Sequence, residues 1–241
     1  MNIFTVVRRP KMIILIVYME KRTSRYEHLL WDIDGTLTDP AVGITTATQL
    51  ALRRCGIEVE DRQSLCKFIG PPLMDSFRDF YGFTDVQAAR ACGYFREYYN
   101  VRGLFENVMY DGIDRLLDRL TEAGYKLYVA TSKPDPIARQ VLEHFDLARR
   151  FLFIGADTPE HLRPNKAAVV RYVIQSNHLE GELERTVMIG DRKHDVMGAR
   201  AAGIDCIGVL YGYGSAEEMR EYGATATAQD VASLGRLLLG N

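Results

Sequence analysis

Residues 28–39 read HLLWDIDGTLTD and send two carboxylates, Asp32 and Asp34, from a short apolar run into a glycine-containing loop. Leu29, Leu30 and Trp31 make the continuous apolar segment expected of a parallel strand buried on both faces. Gly35 permits an abrupt turn directly after it, and Thr36 and Thr38 supply hydroxyls nearby. In open α/β sheets ligands bind outside the carboxyl ends of the strands, so an acid that ends a strand is better placed for chemistry than one in mid-helix. The competing reading is an Asx-rich strand-to-helix turn. Two acids on alternate positions before Gly-Thr favour chemistry, because turns rarely need both.

Beyond residue 109 apolar runs alternate with amphipathic stretches, the pattern of βαβ units and a parallel sheet. KLYVAT (126–131), FLFIGAD (151–157), TVMIGD (186–191) and CIGVLYG (206–212) read as buried strands. Residues 113–123, 136–145, 166–175 and 196–202 read as helices; the first places Leu116, Leu117 and Leu120 on one face. Between 40 and 107 the pattern is helical without a convincing strand, with helices expected at 44–54, 72–81 and 85–100. The expected fold class is therefore α/β, a Rossmann-like parallel sheet core (26–39 and 108–241) with an inserted α-helical cap (40–107). Such an insertion leaves directly after the carboxylate loop and returns before the second strand, which suits a lid with hinges near Pro40 and Asn107.

Composition excludes several classes of partner. Thirty Lys and Arg against thirty-two Asp and Glu in 241 residues give a formal charge of -2, with no electrostatic footprint for nucleic acid or an anionic membrane. Small metabolites are the expected ligands. Cys55, Cys66, Cys92 and Cys206 show no CxxC pairing, which argues against a zinc site or a disulfide framework and for reduced thiols. The run at 12–19, MIILIVYM, follows Arg8, Arg9 and Lys11, but it is too short to span a bilayer and no small-residue cleavage site follows. Residues 1–25 are thus expected to be an appendage or the product of a misassigned start, with the domain starting near Met19 or Tyr26, and the expected location is the cytoplasm.

Chemistry converges at the strand ends. Asp32 follows HLLW, Thr131 and Ser132 follow KLYVA, and Asp191 follows TVMIG. A carboxylate nucleophile, hydroxyl donors and a metal-binding acid are what a phosphoryl group needs, since its negative charge must be neutralised and held in line. The missing cation comes from RPNK, as Arg163 or Lys166. In GDRKHD, Asp191 and Asp195 fall four positions apart at the opening of a short helix, so both can reach one ion. Hard oxygen ligands favour Mg²⁺, usually held by one or two carboxylates plus substrate phosphate. Asp195 has the alternative role of helix cap, and His194 is read as exposed or supporting rather than as a ligand.

Together these segments resemble the haloacid dehalogenase-like hydrolase superfamily, whose ordered motifs are DxDGT, a strand-terminal Thr or Ser, a Lys, and GDxxxD. The resemblance runs from about Tyr26 to the end of the chain, and the insertion resembles that superfamily's type 1 cap. It implies Asp32 as nucleophile, Asp34 as general acid and base, Thr131 as phosphate-binding hydroxyl and Lys166 as the charge-stabilising lysine. It implies a metal set of Asp32, Asp34 through its carbonyl oxygen, Asp191 and Asp195. FIGPPL (68–73), GDRKHD and VLYGYGSAEE (209–218) look like the phosphoglycolate phosphatase and 5′-nucleotidase-like group. Arg163-Pro164 preceding Lys166 departs from the Lys-Pro usual in the former, so either cation can take the lysine's part; Lys166 is preferred. The expected activity is Mg²⁺-dependent hydrolysis of small phosphomonoesters through an aspartyl-phosphate. The alternatives are a sugar phosphomutase and a non-catalytic phosphate-binding regulator. Substrate contacts are expected from Thr131, Ser132, Lys166 and Arg163, and from Lys67 and Arg78 in the lid, where the aromatic run 94–99 either stacks a base or packs the helices.

Overall fold

The strand β1 (His28–Trp31) is buried at every position. Its alternation puts Leu29 and Trp31 into one apolar cluster and Leu30 into another on the opposite face of the sheet. The structure, a computed structural model, describes residues 24–240 apart from 159 and 161. The apolar run at 12–19, most of the expected appendage and the expected start at Met19 lie outside the described residues.

After the DIDGT loop comes β2 (Thr38–Asp39), from which the chain leaves for a helical insertion of α1 (Ala41–Arg54), a 3-10 segment (Arg62–Phe68), α2 (Leu73–Tyr81) and α3 (Asp85–Tyr99). It returns through β3 (Val108–Met109), antiparallel to β2, with Thr38 opposite Met109 and Asp39 opposite Val108. The two connecting segments at Pro40 and Asn107 are thus tied into one ribbon. α1 buries Ile44, Ala47, Thr48, Ala51 and Leu52, the 3–4 spacing of one helical face. Gly82, at φ 64, ends α2 in the left-handed conformation, and a Thr84–Gln87 capping box starts α3.

Strands and helices then alternate as α4 (Ile113–Glu122), β4 (Lys126–Pro134), α5 (Asp135–His144), β5 (Phe153–Asp157), α6 (Lys166–Ser176), β6 (Thr186–Gly190), α7 (Lys193–Ala202), β7 (Asp205–Val209), α8 (Ala216–Tyr222), β8 (Ala226–Ala228) and α9 (Val231–Leu239). Among the described residues six strands form one parallel sheet in the order β5-β4-β1-β6-β7-β8. The chain builds outward from β1 through β4 to β5, then crosses to β6 on the other side. The carboxyl end of β1 therefore sits at the reversal of strand order, where a crevice opens.

Several features differ from the expected boundaries. β4 runs on past Thr131 to Pro134, with a register shift against β5 between those two residues. The strand expected at 206–212 stops at Val209, where the Leu210 N–H donates to the Ala228 carbonyl and the chain turns toward the β1 loop. The edge strand β8 and the β2–β3 ribbon carry no apolar run long enough to announce a strand. Among the described residues no helix is long and apolar enough to cross a membrane.

Candidate active site

The DIDGT loop is a tight turn in which the Ile33 carbonyl accepts the N–H groups of Thr36, Leu37 and Thr38. Gly35 has φ +80, and a Cβ there would lie 2.1 Å from Asp191 Oδ2, so both its conformation and its missing side chain are required. Asp32 accepts the Ile33 N–H at 2.8 Å through Oδ1 and meets Lys166 Nζ at 2.8 Å through Oδ2.

Lys166 is the first residue of α6, whose N-cap Asn165 accepts the Ala168 N–H at 3.0 Å. Its buried ammonium reaches Asp32 Oδ2 and Asp195 Oδ1 at 2.8 Å each and donates to the Ala130 carbonyl at 3.1 Å. Burial alone would lower the Lys166 pKa, but Asp195 and Asp32 more than offset that and hold it charged. Asp195 also caps its own helix, accepting the Arg192 N–H at 3.0 Å through Oδ2. The cap role read from the sequence is thus held by Oδ2, while Oδ1 faces Lys166.

Asp191 is fully buried and accepts the Tyr213 N–H at 2.7 Å through Oδ2. Its Oδ1 is buried without a hydrogen-bond partner. One oxygen each from Asp32, Asp191 and Asp195 lies within 4.8 Å of the others. Burial and then the Asp195 charge push the Asp191 carboxyl well up, and burial pushes Asp195 to about 6 against the pull of Lys166. Three clustered carboxyl groups outnumber the one ammonium that pairs with two of them, and the donors are all oxygen. That set, with an orphaned carboxylate oxygen and side-chain-free Gly35 and Gly212 against Asp191, suits a hard divalent cation.

Asp34 lies beside this cluster with 16% of its side chain exposed, and its Oδ2 pairs with Lys133 Nζ at 2.8 Å. Burial pushes its carboxyl up, against the Lys133 charge. Lys133 was not singled out in the sequence. It stands two residues after Thr131 on the same strand, a spacing that signals a shared face, but the shift in β4 register decides where it points. Thr131, 2% exposed, and Ser132 line the same opening.

That opening is a cavity of about 490 Å³ between the sheet edge and the insertion. Asp32, Asp34, Thr131, Ser132 and Lys133 form its floor, and Phe68, Leu73, Met74, Cys92, Phe95 and Tyr99 supply apolar wall. The aromatic run at 94–99 is divided: Phe95 and Tyr99 stack at 5.0 Å and line the cavity, whereas Tyr94 lies under Arg54 and Tyr98 donates to Glu106. Arg78 lines the wall but is paired with Asp75 and Asp85.

Two expected substrate contacts are not brought to the floor. Lys67 is exposed with its ammonium over the rings of Phe80 and Tyr81, outside the cavity lining. Arg163 donates to the Ala156 carbonyl and stacks at 4.0 Å on Tyr172, because its loop folds back onto the Asp157 carboxylate. Of the two cations considered for the phosphate, Lys166 is the one that touches Asp32.

The family model described as haloacid dehalogenase-like hydrolase matches residues 29–209. The chain belongs to that family. A 5′-nucleotidase of Pseudomonas aeruginosa is 43% identical over 220 residues, covering 91% of this chain and 99% of that protein. The tyrosine-protein kinase PtkA of Mycobacterium tuberculosis is 39% identical over 189 residues, covering 78% of this chain and 64% of the kinase. Phosphoglycolate phosphatases match at lower identity. The crystal structure of a predicted phosphatase from Clostridium acetobutylicum superposes with a TM-score of 0.85 at 43% identity, over 88% of this chain and 98% of that one. This haloacid dehalogenase-like hydrolase is a phosphatase of the phosphoric monoester hydrolase type, carried on the α/β fold described above.

Proposed function

We propose that this phosphatase hydrolyses nucleoside 5′-monophosphates in preference to phosphoglycolate, with Mg²⁺, by way of a phosphoryl group carried on Asp32. The observation that carries the reading is that Asp32, which pairs with Lys166 and has Asp191 and Asp195 oxygens within 4.8 Å, lies with Asp34 at the floor of a cavity of about 490 Å³ with an apolar wall. A two-carbon acid would leave most of that space and its apolar surface unmatched, whereas a nucleoside uses both. The P. aeruginosa relative named 5′-nucleotidase supports the same choice.

Asp32, Asp191, Asp195 and the Asp34 carbonyl are the groups that would hold Mg²⁺, which when bound supplies positive charge against the phosphate oxygens. Lys166 adds its own charge and keeps the Asp32 carboxylate oriented toward phosphorus. As an Asp32 oxygen forms its bond to phosphorus, the bond to the leaving oxygen breaks with its electron pair, and that oxygen takes the proton of Asp34. Asp34, with its carboxyl pushed up by burial, is suited to holding that proton. In the second half Asp34 takes a proton from water, which attacks the phosphorus, releases phosphate and restores Asp32. Thr131 and Ser132 hold the transferring phosphoryl group, and the apolar wall excludes stray water.

The test is phosphate release from nucleoside 5′-monophosphates and from phosphoglycolate, each with Mg²⁺ and with a chelator. Faster Mg²⁺-dependent turnover of the nucleotides is expected. Preference for phosphoglycolate, or turnover unaffected by chelation, would overturn the corresponding part. ATP-dependent transfer to tyrosine in place of phosphate release would favour the chemistry for which the mycobacterial relative is named.

A further inference from the structure

Lys133 is buried at 9% exposure, and its ammonium is committed to Asp34 and Tyr99. Its ammonium meets Asp34 Oδ2 at 2.8 Å and donates to the Tyr99 hydroxyl at 2.6 Å. Tyr99 is the last residue of α3, so one core side chain links the DIDGT loop to the helical insertion. The link is held from all three sides. On the core, the register shift in β4 between Thr131 and Pro134 turns the strand where Lys133 leaves it, and the Lys133 N–H donates back to Thr131 Oγ1 at 3.3 Å. On the insertion, the Tyr99 ring stacks on Phe95 and lies so close to Gly103 that a Cβ there would come within 2.8 Å of it. On the loop, Lys133 is the cation set against Asp34, while Lys166 is engaged by Asp32 and Asp195.

A buried ammonium costs free energy, and a bulge that aims it at one carboxyl oxygen is an arrangement rather than a default of strand geometry. Phosphate neutralisation does not explain it, because Lys166 already stands on Asp32. We propose that Lys133 is a positioning residue for proton transfer: it fixes the Asp34 carboxyl through Oδ2 and, by its bond to Tyr99, makes that orientation depend on α3 being seated on the core. The inference rests on the phosphatase reading, with Asp34 as the proton donor. It adds that the donor is oriented only when the lid is down, so proton transfer is confined to the closed, water-poor cavity.

Two substrates separate this role from a structural one. An alkyl phosphate such as a nucleoside 5′-monophosphate needs its leaving oxygen protonated, whereas p-nitrophenyl phosphate expels a stable anion without a proton. Measured as kcat/KM with Mg²⁺, Lys133→Met is expected to lower the alkyl ester by roughly 100-fold and the aryl ester by less than about tenfold, matching the pattern of Asp34→Asn. Lys133→Arg recovers part of the alkyl activity. Tyr99→Phe shifts the alkyl-to-aryl ratio in the same direction by about threefold or more, and Asp34→Asn combined with Lys133→Met is no worse than Asp34→Asn alone. Equal losses on both esters, or losses that multiply in the double variant, overturn the positioning role. An unchanged ratio in Tyr99→Phe overturns the link to the lid. Should Lys133→Met not fold, Lys133→Arg and Tyr99→Phe give the same ratio. If the unaltered enzyme releases phosphate from neither ester, the phosphatase reading itself fails, and that is seen before any variant is made.

Discussion

Asp32 is the smallest unit on which the proposed chemistry turns. Replacing it with Asn keeps its shape and its hydrogen bond from Ile33 but removes the attacking carboxylate, so Asp32→Asn is expected to abolish phosphate release while leaving the fold intact by circular dichroism. Residual turnover near that of the unaltered enzyme would take Asp32 out of the mechanism. The carboxyls around it also set the pH response. Burial pushes Asp34, Asp191 and Asp195 up, Asp195 to about 6. A carboxyl with a raised pKa keeps a proton in the folded chain that the unfolded chain has already released. Metal-free stability from these groups is therefore greatest at low pH and is lost as pH rises from the ordinary carboxylate range through about 6. Mg²⁺ competes with those protons, so its stabilisation is expected to be small near about pH 5 and to approach about 2.7 kcal/mol near about pH 8 at a hundredfold excess over Kd. Thermal unfolding with and without Mg²⁺ at the two pH values measures this, and equal gains would contradict it.

Neighbouring helices and strands decide whether those residues meet. Parallel pairing brings the carboxyl ends of β1, β4 and β6 side by side, which is why Asp32, Thr131 and Asp191 share one crevice. α6 supplies Lys166, and α7 packs on it through Gly198, where a Cβ would lie 2.7 Å from Lys166 Cγ and 3.1 Å from its carbonyl carbon. Gly198→Val is thus expected to push the helices apart, cost about 1–3 kcal/mol in urea unfolding, and misplace Lys166 enough to lower kcat. Stability and kcat close to those of the unaltered enzyme would show that the helix pair has room to spare. Element type was readable in advance because it depends on local patterning: HLLW and TVMIG are apolar without interruption, and Ile113, Leu116, Leu117 and Leu120 keep helical spacing. Boundaries were less readable, since β7 ends where Leu210 finds Ala228 across the sheet, a partner that no local pattern reveals.

Taken as one body, the molecule has a floor from the sheet and a wall from the insertion. Ala89 on α3 is exposed and lines the cavity, so a larger side chain there narrows the space without disturbing a core. Ala89→Trp is expected to raise KM for nucleoside 5′-monophosphates by about tenfold or more while changing KM for a small alkyl phosphate little, a difference of about 1.4 kcal/mol between substrates. Equal changes for both would show that the leaving group does not reach this wall. The acids at 32, 34, 191 and 195, the hydroxyls at 131 and 132 and the lysine at 166 could all be named from the chain, because DxDGT, TS and GDxxxD follow apolar runs, RPNK lies in the loop after another, and strand ends of a parallel sheet must gather. Lys67 and Arg163 could be named as cations but not placed: one lies over Phe80 and Tyr81, the other over Tyr172, contacts made by segments remote from any motif. Lys133 and Tyr99 were invisible as a pair, being 34 positions apart and joined only after a strand shifts register and a helix docks. Amino-acid order thus determined which chemical groups stand at which strand ends, a matter of periodicity and burial within each segment. Tertiary structure alone decided which of them touch, how large the cavity is and how α3 is joined to Asp34, because register and docking are settled by the whole core at once.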